Sequence, residues 1–243
     1  MPDNILFFIS IFIAEIIGTI TGFGSSTILI PIALFFFELK VAIALVAFAH
    51  LFGNIMRLVI FKRDINKEMF IYFGIPSIIL TIVGATLLTI IAADILKIAL
   101  GAVLILYSII SFKNPISLKQ TKKIAVIGGS LSGFFAGLLG VGGAIRSTFM
   151  SSFKMNKESY IVTMAAIGMI IDLTRIPIYL SNNFVPYSMY IYIPIIFALA
   201  VVGTIIGKKV VFKMKEGVFR NIILIASSLA GIKFVYDGIR AVI

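Results

Sequence analysis

Residues 123–151 read KIAVIGGSLSGFFAGLLGVGGAIRSTFMS. The stretch is apolar, and it is long enough to cross a bilayer, since a spanning helix needs about 20 apolar residues. Yet Gly128, Gly129, Gly133, Gly137, Gly140, Gly142 and Gly143 all fall inside it. Glycine is among the poorest helix formers, because it loses the most backbone freedom on ordering. The expected reading is a broken or re-entrant segment that leaves the membrane on the side it entered.

The surrounding charges ask for the same thing. Eight apolar segments stand out, at about 5–37, 41–61, 69–92, 95–112, 123–151, 159–180, 186–207 and 217–240. Basic clusters occur at Lys62/Arg63/Lys67, Lys113/Lys119/Lys122/Lys123, Lys154/Lys157 and Lys208/Lys209/Lys213/Lys215/Arg220. Cytoplasmic loops of membrane proteins accumulate Lys and Arg. If every segment crossed, the second and third clusters would lie on opposite sides, because one segment separates them. If segment 123–151 returns to its own side, all four clusters face the cytoplasm. Only Lys40, Lys97 and Arg240 then remain in outer loops. The plainer alternative is eight full crossings with an imperfect charge bias.

Composition excludes most other classes. Of 243 residues, 60% are hydrophobic and 13% charged, with mean hydropathy +1.16. A soluble domain is roughly 45–50% apolar and about 25% charged. A chain of this size has no interior large enough for so much apolar surface, so its solvent is lipid. A soluble enzyme, a disulfide scaffold and a disordered chain are all excluded. The net charge of +11 sits in loops, so no nucleic-acid partner is expected. With no cysteine there is no disulfide and no thiolate chemistry. The start, Met1-Pro2-Asp3-Asn4 and then Ile5-Leu6-Phe7-Phe8, has no basic n-region or small-residue cleavage site, so no cleaved signal peptide is expected.

The two halves are alike. A shift of 118 residues lays Gly22-Phe23-Gly24-Ser25 on Gly140-Val141-Gly142-Gly143, Asn54 on Asp172, Arg57 on Arg175 and Pro76 on Pro194, without a gap. Chance likeness of apolar helices explains one such match, but not five in a single register. The chain therefore reads as an all-α polytopic membrane protein of two pseudo-symmetric four-segment repeats. Residues 1–112 and 123–243 are the repeats, and 113–122 is a cytoplasmic linker. Each repeat has one re-entrant or broken Gly-rich helix and three crossings, and an odd number of crossings makes the repeats inverted, a common basis for transporters.

The motifs Gly18-Thr-Ile-Thr-Gly22-Phe-Gly24-Ser-Ser-Thr-Ile-Leu-Ile-Pro31 and Gly137-Leu-Leu-Gly140-Val-Gly142-Gly143-Ala, one opening each half, resemble the TauE/SafE sulfite exporter family of bacterial and archaeal membrane proteins. The resemblance covers most of the chain. It implies a multi-pass protein of the prokaryotic cell membrane that moves small anions, typically sulfite, sulfonates or related organosulfur compounds. Two departures stand out. Ser25-Ser26 replace glycines usual in the first motif, and the second ends Ala144-Ile145-Arg146 without a following proline. They fall where a substrate would be contacted, so they bear on which anion is carried.

Candidate site residues follow from chemistry. Where a helix restarts inside a membrane, its free N–H groups form an anion site. Gly22, Gly24, Gly140, Gly142 and Gly143 would let backbone approach the anion, and Ser25, Ser26 and Thr27 would add hydroxyls. Close packing by small residues is the competing account. Arg57 and Arg175 each follow a polar residue, Asn54 and Asp172, by three positions, which is one helix face. A guanidinium fork suits an oxyanion. Against this, Arg57 could snorkel toward the interface, and Arg175 could simply pair with Asp172. Arg146, just after the second break, adds a cation, although its repeat mate is Ile28. Glu15, His50 and Asp172 are candidates for carrying a coupled proton. The sequence has no P-loop, His-Glu-x-x-His or triad pattern, so no catalytic residue, metal or cofactor is expected. The expected function is a secondary transporter or exporter working by alternating access. An uncoupled anion channel and a non-transporting scaffold subunit are the alternatives. The small-residue face Gly128/Ser132/Ala136 could pack within one chain or between two copies in a homodimer.

Overall fold

Segment 123–151 forms two helices, and the glycines divide their work differently from the sequence expectation. The computed structural model describes residues 5–21, 25–113, 119–210 and 216–242, with side chains throughout except at 20–21, 111–113, 216–227 and 242. Helix α7 (Lys122–Leu139) runs unbroken through Gly128, Gly129, Gly133 and Gly137. A Cβ at Gly129, Gly133 or Gly137 would lie 2.0–2.3 Å from the carbonyl oxygens of Phe73, Ser77 and Thr81 on the neighbouring helix. Those glycines buy close approach, not flexibility. Ser77 Oγ and Thr81 Oγ1 then donate across the gap to the Gly129 and Gly133 carbonyls, at 2.9 and 3.1 Å. Lipid offers no hydrophobic drive between helices, so small residues and interhelical hydrogen bonds must hold them.

The break comes at Gly140, which ends α7 with φ +76°. A side chain there would strain the backbone and meet Ile30 Cδ1 at 2.3 Å. Helix α8 (Gly142–Met150) then runs back along α7: Gly142 packs on Ser132 and Ala136, and Phe149 on Gly128. The Gly128/Ser132/Ala136 face is thus covered within the chain. At the other end of the sequence, α1 (Ile5–Thr21) is followed by α2 (Ser26–Ala33). Here Gly18 abuts the Ser25 backbone, while the rings of Phe7 and Phe37 meet at 4.9 Å, so the chain again doubles back.

The remaining helices are long: α3 (Leu39–Phe61), α4 and α5 (Lys67–Met69 and Ile75–Ile90), α6 (Ala93–Lys113), α9 (Lys157–Ser181), α10 (Tyr192–Val210) and α11 (Glu216–Val242). A π-helical turn over Phe70–Gly74 joins α4 to α5. It ends just before Pro76, whose missing N–H cannot continue the regular ladder. Among the described residues every regular element is helical, and six helical stretches are long and apolar enough to cross a membrane. Apolar side chains such as Ile79, Leu106, Ile195 and Leu229 face outward, while Glu15, His50, Arg57, Arg146, Asp172 and Arg175 are buried. That inside-out pattern is the one lipid demands.

Packing is paired: α1 lies on α10, α5 on α7, α3 on α9 and α6 on α11. Helices α3 and α9 form the centre, with 67% of their apolar windows buried against 22% for α10. The basic loops gather at one end. Arg63 pairs with Glu158, Asn66 N–H donates to Thr163 Oγ1 at 3.0 Å, Lys208 Nζ donates to the Ile60 carbonyl at 2.5 Å, and Lys122 lies 4.7 Å from the Tyr72 ring. Lys40 sits at the opposite end, donating to the Thr89 carbonyl at 3.0 Å.

Candidate functional site

Helix α3 is interrupted by no proline, and its spacing puts His50, Gly53, Asn54 and Arg57 on the face toward α1 and α9. Helix α9 presents Gly168, Asp172 and Arg175 back to it. Between them lies a buried network of ions, all at most 3% exposed.

The first cluster centres on Glu15 of α1. Its Oε2 accepts from Arg57 Nη2 at 2.6 Å, and its Oε1 accepts from Ser25 Oγ. Arg57 also donates from Nε to Thr19 Oγ1 at 3.1 Å and from Nη1 to Asn54 Oδ1 at 2.9 Å. Gly53 makes the approach feasible, since a Cβ there would lie 2.0 Å from Glu15 Oε2. The second cluster centres on Asp172. Its Oδ1 accepts from Arg175 Nε at 3.0 Å and lies 2.7 Å from Nη2. Its Oδ2 lies 2.7 Å from His50 Nδ1 and accepts from Asn54 Nδ2 at 3.3 Å. An ionised carboxylate only accepts, so the imidazole proton on Nδ1 is assigned to this contact. Arg175 Nη1 donates to the Ala136 carbonyl at 2.6 Å, and Tyr179 OH donates to the Gly137 carbonyl at 2.5 Å. Asn54 touches both clusters.

Arg146, from α8, joins neither. It is 2% exposed, and among the described residues it makes no ion pair and its Nε and Nη1 have no hydrogen-bond partner. Its guanidinium passes over Gly168, where a Cβ would come within 3.1 Å of Nη1. With Gly18, His50, Asn54, Arg57, Ile161, Met164 and Ala165 it lines a cavity of about 10 Å³. That is room for roughly one water.

The sequence expectations thus divide. Asn54, Arg57, His50 and Arg146 meet at the cavity. Glu15, Ser25, Asp172 and Arg175 surround it as partners of those residues or of one another. Gly140 and Gly142 serve packing against Ile30 and α7, and Gly143 and Ser26 are buried in the first turns of their helices. Thr27 is buried, and its hydroxyl has no partner among the described residues. Gly22 and Gly24 lie outside the described residues. Sequence reasoning missed Thr19, Gly53, Gly168, Ile161, Met164 and Ala165. One signal was available for Gly168: it is the 118-residue mate of His50 and lies one turn before Asp172.

A family model described as Sulfite exporter TauE/SafE matches residues 6–234, nearly the whole chain. No curated protein and no solved structure matches it. With six helical stretches able to span a bilayer and a buried cationic site between the central helices, the chain is a multi-pass membrane protein that belongs to the TauE/SafE sulfite exporter family, a family of membrane transporters of sulfur anions.

Proposed function

We propose that this chain carries a small sulfur oxyanion, sulfite or a sulfonate, across the prokaryotic cell membrane by alternating access, with Arg146 as the cation that receives it. The carrying observation is the buried guanidinium with free donors at a cavity wall. A buried charge without a counter-ion is costly, and an anion entering the cavity removes that cost. Arg57, Asn54 and His50 complete the wall. His50, Glu15 and Asp172 are the titratable groups available for a coupled proton.

Two inverted repeats, 1–112 and 123–243, supply the moving parts, with α1–α2 and α7–α8 as re-entrant hairpins entering from opposite faces. The packing favours this reading, because the 118-residue shift exchanges the α1–α10 pair for α7–α5 and maps the α3–α9 pair onto itself. A cavity for one water is smaller than a sulfite ion, so loading requires movement. It lies toward the basic end, near Ile161 and Arg57. The repeat mates of Ile161, Met164 and Ala165 are Ile43, Val46 and Ala47, all fully buried. Exchange of the two halves opens the path past those mates to the Lys40 side.

The test is radiolabelled sulfite flux into proteoliposomes, with and without a proton gradient. Saturable, protein-dependent accumulation driven by the gradient is the expected result. Downhill flux that no gradient can concentrate would favour a channel, and flux no higher than empty liposomes would remove sulfite transport. Topology has its own check in this cysteine-free chain. Cysteines at Lys119 and Asn156 label with an impermeant maleimide from one face only. A cysteine at Val46 labels from the Lys40 side, and faster with substrate present. Labelling of residues 119 and 156 from opposite faces would defeat the inverted arrangement.

A further inference from the structure

Three arginines and two carboxylates are buried between the central helices among the described residues, together with the one histidine. Glu15 is matched to Arg57, and Asp172 to Arg175. At a pH where His50 is the neutral imidazole with its proton on Nδ1, the sum is one positive charge, carried by Arg146. In a low-dielectric interior, unmatched charge is the dominant cost, because neither water nor salt screens it. One occupant charge brings the site to neutrality. A second would leave the loaded protein with an uncompensated anion at membrane depth. The free donors agree with this: Arg146 offers Nε and Nη1. These are enough for one or two oxygens of a trigonal or tetrahedral oxyanion, but not for a cage around a dianion.

Resting on the anion-transport reading above, we propose that this site selects singly charged oxyanions, hydrogensulfite or an alkylsulfonate, and rejects dianions such as sulfate. Selection works by charge count rather than by shape. Sulfate and methanesulfonate have similar tetrahedral heads, so geometry alone separates them poorly, whereas their charges differ by a factor the site cannot absorb.

The experiment measures the melting temperature of the purified protein in nanodiscs against sodium methanesulfonate and sodium sulfate at matched ionic strength. Sulfate also stabilises proteins generally through exclusion from their surface. The quantity read is therefore the shift that Arg146→Gln loses. Methanesulfonate is expected to give a saturable, Arg146-dependent shift, with sulfate at least about tenfold weaker in apparent affinity. Asp172→Asn and, independently, Glu15→Gln each raise the site's charge by one, so either variant is expected to narrow that ratio about tenfold. Sulfate saturating the Arg146-dependent shift at the same concentration as methanesulfonate would overturn the proposal. So would a ratio unchanged in both carboxamide variants, or no Arg146-dependent shift with either salt. The transport reading fails separately, by absence of labelled sulfite flux. Flux that sulfate and methanesulfonate inhibit equally would overturn the charge selection and leave transport standing.

Discussion

Arg146→Gln is expected to abolish saturable sulfite flux while raising the melting temperature of the empty protein. The two effects share one cause. Arg146 is buried with two donor nitrogens unpartnered. An unsatisfied buried polar group costs about 1–3 kcal/mol, and more when charged. Glutamine removes the charge, so the empty protein gains stability, which for a chain of this size is about 2–10 °C. The substrate loses a charge-assisted hydrogen bond of about 1.5–3 kcal/mol, roughly ten- to hundredfold in affinity. Arg146→Lys keeps the charge without the planar fork and falls between the two. Flux in reconstituted liposomes and a thermal melt of the same preparation check both arms. A variant that transports like the parent, or melts lower, would remove Arg146 from the site. The gain in stability on losing a functional side chain is the usual cost of keeping a strained site.

The opposite result is expected at Glu15 and Arg57. Their contact, 2.6 Å and fully enclosed, is an ion pair whose partners satisfy each other. Removing one partner leaves a stranded charge, at about 3–5 kcal/mol. Glu15→Gln and Arg57→Gln should each melt far below the parent. The double variant Glu15→Gln/Arg57→Gln should recover a large part of that loss, with a coupling energy of about 1–3 kcal/mol. A double-mutant cycle on reversible unfolding in detergent measures it. Additive losses would mean that Arg57 is not held by Glu15, and would return it to the role of a free countercharge for substrate. Arg175 and Asp172 obey the same logic, with His50 and Asn54 as extra partners of the carboxylate.

The contrast between Arg146 and its two fellow arginines locates where sequence reasoning stopped. The 118-residue register picked out Asn54 with Asp172 and Arg57 with Arg175, and the four residues do lie in one buried network. It pointed away from Arg146, whose mate is Ile28. A repeat argument favours what both halves share, whereas an asymmetric substrate site needs something only one half supplies. The pairing of Glu15 with Arg57 spans 42 residues of chain and rests on Gly53 letting α1 come close. No local pattern announces it.

The glycines tell the same story at the level of secondary structure. Their number in 123–151 suggested a poor continuous helix; the segment does break, but only where Gly140 takes a positive φ, and α7 is continuous to Leu139. Helix propensity is a prior measured in water. In lipid, where backbone bonds have no other partner, the helix persists and glycine's missing side chain is used for contact with α5.

The residues alone therefore determined the solvent, the helical class and the spacing that sets His50, Asn54 and Arg57 on one face of α3, because composition and periodicity are properties of the chain itself, and the two glycine motifs carried the resemblance to the family. Which glycines pack and which one turns, and which of three buried arginines keeps its donors free, was decided only when the helices came together. Ion pairing falls off over a few ångströms, and those ångströms are set by contacts between helices far apart in the chain.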